Sequence, residues 1–71
     1  MKSLRLAMMA HGIPKKWTHR LANALGIKSV EDLVGLKYDT IMIIPKMFRQ
    51  NIIDLRNAYV PDDMTLMYDA V

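Results

Sequence analysis

Residues 13–34, IPKKWTHRLANALGIKSVEDLV, and residues 41–59, IMIIPKMFRQNIIDLRNAY, carry the same local plan twice. Each contains Ile-Pro, then a basic residue, then an aromatic residue opening an amphipathic run. Proline is well placed at a helix start, where its missing N–H costs nothing and its fixed φ suits the first turn. In the first run Trp17, Leu21, Ala24 and Leu25 recur at i, i+4, i+7 and i+8, the apolar stripe of a helix that Gly26 closes. In the second, Phe48, Ile52, Leu55 and Tyr59 recur at i, i+4, i+7 and i+11, with Arg49, Gln50, Asp54 and Arg56 expected mostly outside. Two tandem Ile-Pro arms, residues 13–59, therefore set the architecture, and they present two helix N-termini suited to phosphate or to an acidic partner.

The flanking segments read as shorter helices. Ser3 to Ala10 alternates Leu4, Leu6 and Met8 with other residues, but its helix formers favour a short helix that Gly12 ends. Ser29, with Asp32 three residues on, resembles a shortened capping box opening one or two turns through Leu33 and Val34 to Gly35. Tyr38 to Ile43 is rich enough in β-branched residues for a strand, yet no partner strand is evident, so a short helix is expected. Val60-Pro61 stops the last long helix. Asp62 is a good N-cap for a closing helix that carries Met64, Met67 and Tyr68, and a frayed acidic tail over 60–71 is the alternative. The expected fold class is all-α: one domain over 1–71, a compact bundle of five to six short helices.

Length and charge bound what such a domain does. Seventy-one residues support one core, which buries only roughly 60% of the unfolded surface and must be filled efficiently. The chain has no cysteine, so neither a disulfide framework nor a thiolate metal site is available, and a reducing cytoplasm is the expected setting. Uninterrupted apolar runs such as Ile41 to Ile44 are far short of the ~20 residues of a membrane span, and no signal-peptide pattern opens the chain. A soluble, unprocessed protein is expected. The net charge of +3 is unevenly spread. Residues 1–30 carry Lys2, Arg5, Lys15, Lys16, Arg20 and Lys28 with no acid, whereas residues 57–71 carry only Asp62, Asp63 and Asp69. One end should attract polyanions or an acidic protein face, unless these lysines simply solvate the surface.

Catalytic chemistry finds little footing. His11 and His19 lack the i, i+4 spacing of a helical metal pair, and the acids lie at helix starts or on the tail, where Asp32, Asp39 and Asp62 have capping explanations. Gly12, Gly26 and Gly35 are isolated helix terminators rather than a phosphate loop. No enzyme, cofactor or metal is expected. Seven methionines stand out. Met8 and Met42 suit core filling, while Met47, beside Phe48 and between Lys46 and Arg49, suits an apolar knuckle that docks on protein. Trp17, amid Lys15, Lys16 and Arg20, admits base stacking, though its place on the Leu21/Leu25 stripe favours core packing.

The stretch Ile13 to Tyr59, with "LGIKSVEDLV" as a linking turn and short helix and "IPKMFRQNIIDL" as a second hairpin and final helix, resembles the double helix-hairpin-helix domains of DNA-repair and transcription proteins. Within these it is most similar to the C-terminal domain of the bacterial RNA polymerase α subunit. The resemblance implies that Lys16, Trp17 and Arg20 face DNA from the first arm and Phe48, Gln50, Asn51 and Asp54 from the second. Phe48 stands where the family's second hairpin carries glycine, and no glycine follows Pro14. Bulk there holds the backbone off a phosphate, so the expectation is a scaffold turned from DNA to protein, with Phe48 as an exposed docking knob. Residues Leu25 to Leu55 also resemble sterile-alpha-motif domains, five-helix bundles that mainly bind proteins and here imply self-association of acidic tail with basic half.

As a whole the small, basic, cysteine-free helical chain resembles phage-encoded regulators of host RNA polymerase. That resemblance implies a non-enzymatic transcription regulator, working in the host cytoplasm, bound to the β or β′ subunit or to another acidic protein surface and altering initiation or termination. Its expected contacts are Lys15, Lys16, Arg20, Lys46, Met47, Phe48 and Arg49. The alternative is sequence-independent binding of double-stranded DNA through Lys15, Lys16, Arg20, Lys46, Arg49, Gln50 and Asn51.

Overall fold

The computed structural model describes residues 3–69, and the expected closing segment 60–71 runs past them by two residues. The described residues form an all-α bundle. Its helices are α1 (Leu4–Ala10), α2 (Lys15–Leu25), α3 (Tyr38–Ile41) and α4 (Lys46–Asn57), with 3₁₀ segments at Val30–Gly35 and Asp62–Met64.

Local chemistry sets most boundaries. The Ser3 hydroxyl accepts from the Leu6 amide at 3.1 Å and starts α1. Leu4, Ala7 and Met8 are buried at i, i+3 and i+4, while Leu6 is 58% exposed, so the alternation seen in the sequence does not describe this helix. α1 and α2 end in the same way. Gly12 (φ +85°) and Gly26 (φ +71°) adopt the left-handed conformation, and the amides of Ile13 and Ile27 reach back to the carbonyls of Met8 and Ala22 at 3.1 and 3.0 Å. Each motif drops an isoleucine into the core immediately after its glycine.

The Asp32 carboxylate accepts from the amides of Lys28 at 2.8 Å and Ser29 at 3.2 Å, closing the expected cap of the first 3₁₀ segment. Those bonds, the Lys28 amide first, hold its carboxyl below the usual range. Of the β-branched stretch Tyr38 to Ile43, only Tyr38–Ile41 is helix; residues 42–44 turn toward Pro45, and Ile41 and Ile44 both enter the core. Asp62 lies inside the last 3₁₀ turn, with Pro61 rather than Asp62 at its N-cap position.

One hydrophobic cluster joins α1, α2, α3, α4 and the first 3₁₀ segment, with Leu21, Leu33, Ile41, Ile52, Ile53 and Leu55 sealed from solvent. Met8 is wholly buried and Met42 packs partly against the cluster. Two details of the helix stripes need correction. Ala24 faces solvent, and its place in α2 is taken by Thr18, whose hydroxyl donates to the Lys15 carbonyl at 2.8 Å.

Arg56 is the larger correction, since it is buried rather than exposed on α4. Its guanidinium donates to the carbonyls of Leu36 and Met64, each at 2.9 Å, and to the Asn57 side chain at 3.5 Å. Asn57 in turn exchanges two hydrogen bonds with Leu66, at 2.8 and 2.9 Å. The end of α4 therefore fastens both the loop before α3 and the C-terminal segment. No helix among the described residues is long and apolar enough to cross a membrane.

Candidate functional site

The two arms superpose in sequence at a fixed offset: Ile13 on Ile44, Pro14 on Pro45, Lys15 on Lys46, Trp17 on Phe48, Leu21 on Ile52. The structure gives both arms the same entry. Pro14 (φ −59°, ψ 145°) and Pro45 (φ −54°, ψ 138°) precede α2 and α4, and the isoleucines ahead of them are buried. The amides of Trp17 and Phe48 donate to the preceding proline carbonyls at 2.9 and 3.0 Å. The amides of Lys15, Lys16, Lys46 and Met47 come before any intrahelical acceptor, and a proline cap has no side-chain acceptor to offer them.

The matched aromatic residues then meet. The Trp17 and Phe48 rings lie 4.9 Å apart at 49°, so side chains from the first turns of α2 and α4 touch. Lys15, Lys16, Arg20 and Lys46 are exposed around this pair. The Arg20 guanidinium sits 5.2 Å from the centre of the half-buried Trp17 ring, a cation–π contact worth ~0.5–1 kcal/mol at an exposed site. Trp17 thus packs on one face and carries Arg20 on another.

Phe48 overturns the docking-knob expectation. The ring is only 5% exposed, folded inward on Trp17, because its position on the Ile52/Leu55 stripe turns it to the core. Three polar residues expected at the interface are also engaged within the fold. Arg49 donates to the Ile44 carbonyl at 3.1 Å and to the Met42 carbonyl at 2.8 Å, which braces the second turn. Asn51 donates to the His11 carbonyl at 2.8 Å and braces the first. Gln50 donates to Asp54 at 2.8 Å along the exposed face of α4. α4 is therefore the organiser of both turns, and Arg49 and Asn51 are positioning residues whose donors go to backbone carbonyls.

What stays at the surface differs between the arms. The first turn offers Gly12 and Lys16. The second offers Ile43, 64% exposed, and Met47, 72% exposed, at the matching positions. The sequence had singled out Met47 but not Ile43; its only available signal was membership of an apolar run that a four-residue helix cannot wholly bury. Among the described residues no group of three or more His, Cys, Asp or Glu side chains is arranged to hold a metal ion. His11 Nδ1 lies 3.2 Å from the Ala7 carbonyl, and His19 Nε2 lies 3.1 Å from the Asn23 amide nitrogen, so the two histidines serve their own helices. Comparison with models of protein families, with curated proteins and with solved structures finds no match to this chain.

Proposed function

We propose that this chain binds the phosphate backbone of double-stranded nucleic acid, independently of sequence, in the manner of a helix-hairpin-helix pair. The observation that carries the reading is the Trp17–Phe48 contact between the first turns of α2 and α4, two helices whose starts have no side-chain cap, with Lys15, Lys16, Arg20 and Lys46 exposed on those turns. Oriented amides and the positive helix ends attract anions, and the four cations raise the local potential. With Phe48 folded inward, its ring no longer stands against a close phosphate approach, and the side chains left at the surface of the second turn are Ile43 and Met47. Gln50 and Asn51 leave this interface, the first for Asp54 and the second for the first turn.

Titrating a random duplex into the protein at several salt concentrations tests the reading. Four phosphate-neutralising cations predict a slope of log K against log salt of about −3.6, and Lys15→Glu/Lys16→Glu should shallow it by about 2. Absence of binding at low salt refutes it.

A second reading keeps the protein in transcription through an RNA polymerase subunit, β or β′, docked on an apolar turn. The exposure of Met47 favours this reading, since a large flexible thioether beside Lys46 suits an apolar surface with acidic surroundings. Capture of polymerase from a bacterial lysate should then fall with Met47→Asp, and equal capture by both proteins removes it.

A further inference from the structure

The exposed face of α2 continues past the cations of its first turns. At ~100° per residue, Lys15, Lys16, His19 and Asn23 fall within about 100° of one another around the helix axis, and all four are exposed. Arg20 borders the same face. Neither α1 nor α2 contains an acid. From Lys16 to Asn23 the face runs about 10 Å along the axis, roughly three phosphate steps of one DNA strand at ~3.4 Å each. The helix thus offers a polyanion a track rather than a single point of contact.

A groove of about 510 Å³ between α1 and α2 borders this track. His19 and Asn23 line it from α2, Arg5 from α1, and Lys28 from the loop that follows Gly26, and all four side chains are exposed. Leu4, Met8 and Ile27 beneath them are at most 8% exposed, so an apolar ligand would find almost nothing to cover and the polar rim decides what the groove takes. No carboxylate among the described residues lines it. Asp32, whose carboxylate accepts from the Lys28 and Ser29 amides, lines a separate cleft with Gly35 and Thr40. We infer that the rim of this groove is a second phosphate site, at which Arg5 and Lys28 each neutralise a phosphate of the duplex that meets α2 at Lys15 and Lys16, with His19 and Asn23 as hydrogen-bonding partners between them. Cations and polar side chains without a competing acid match phosphate oxygens. Continuity with the first-turn lysines along one helix face selects a polyanion of regular charge spacing over an isolated anion.

The groove site rests on the duplex reading above, and the salt dependence of binding to a random duplex separates the two. Arg5 and Lys28 added to Lys15, Lys16, Arg20 and Lys46 predict a slope of log K against log salt of about −5.4, against about −3.6 for those four cations alone. Arg5→Ala/Lys28→Ala should shallow the slope by about 1.8 with an unchanged circular-dichroism spectrum, since both side chains are exposed. Lys37→Ala, which removes an exposed cation that does not line the groove, should leave the slope as it is. A wild-type slope near −3.6 that the double variant does not alter overturns the groove site and leaves the duplex reading standing. A slope that falls as much per charge with Lys37→Ala traces the effect to net charge and also overturns the site. Absence of duplex binding at low salt refutes both.

Discussion

Replacing Arg56 by Met gives the sharpest test of how this fold is held together. The side chain is 6% exposed and donates to the Leu36 and Met64 carbonyls at 2.9 Å each. Both acceptors are backbone, so the substitution cannot remove them. Met64 is exposed and its carbonyl can turn to water, but Leu36 is buried and its carbonyl is left with a poor alternative. A stranded buried acceptor costs ~1–3 kcal/mol and each lost bond to a charged donor ~1.5–3 kcal/mol, while relief of guanidinium desolvation returns part of this. The net loss should be about 2–4 kcal/mol, a large share of the total for a domain whose stability scales at ~0.05–0.15 kcal/mol per residue. Thermal unfolding followed by circular dichroism should then shift down by roughly 10–30 °C, at ~4–8 °C per kcal/mol for a chain of this size.

The segment after Pro61 should respond before the core does, since Arg56 and Asn57 are its fasteners. Hydrogen exchange at the Leu66 amide should accelerate in Arg56→Met more than that of Ile52. An exposed arginine at this position would make the same change worth within about 0.5 kcal/mol. A measured loss below 1 kcal/mol with unaltered exchange at Leu66 therefore refutes the buried-anchor argument.

Three further outcomes follow from the same structure. Phe48→Ala should cost ~3–5 kcal/mol in urea unfolding, because it empties a core position and removes the Trp17 contact, whereas a solvent-facing ring would leave stability nearly unchanged. Gly12→Ala should cost ~1–2 kcal/mol from its φ of +85° alone, and the added Cβ would stand 3.0 Å from Asn51 Nδ2, so Asn51→Ala should reduce the penalty of the Gly12 change in a double-mutant cycle. Asp32 carries a pH signature: its folded-state pKa is lowered, so its capping contribution is present above the unfolded carboxylate value of ~3.9 and is lost as pH falls through the lower folded value. Asp32→Asn should flatten the pH dependence of the urea midpoint below about pH 4 relative to wild type, and identical profiles would remove Asp32 as its source.

Much of the secondary structure was legible because helix boundaries are chosen within a few residues of themselves. Ser3, Pro14 and Pro45 start helices, Gly12 and Gly26 end them, and the Ser29–Asp32 spacing opens a turn, all through bonds spanning three to five residues. The all-α class follows from those signals and from the 3.6-residue stripes of α2 and α4. The candidate site was legible only in its outline. Lys15, Lys16, Arg20 and Lys46 are exposed, and the aromatic residues that follow the two Ile-Pro entries touch each other.

The fates of Phe48, Arg49, Asn51 and Arg56 lay beyond any local rule. Periodicity put Phe48 on an apolar stripe and a resemblance in sequence put it on an exposed hairpin; the Trp17 ring on α2 decided between them. Arg56 looks like an outward charge on a helical wheel, yet carbonyls 20 residues earlier and 8 residues later draw it inside. Asn51 serves a carbonyl 40 residues away. The sequence by itself determined where helices begin and end, because backbone amides and carbonyls find their partners one turn away. Tertiary structure alone decided which polar and aromatic side chains remain free to meet a ligand, because that depends on which distant groups packing brings within hydrogen-bond or ring-contact distance.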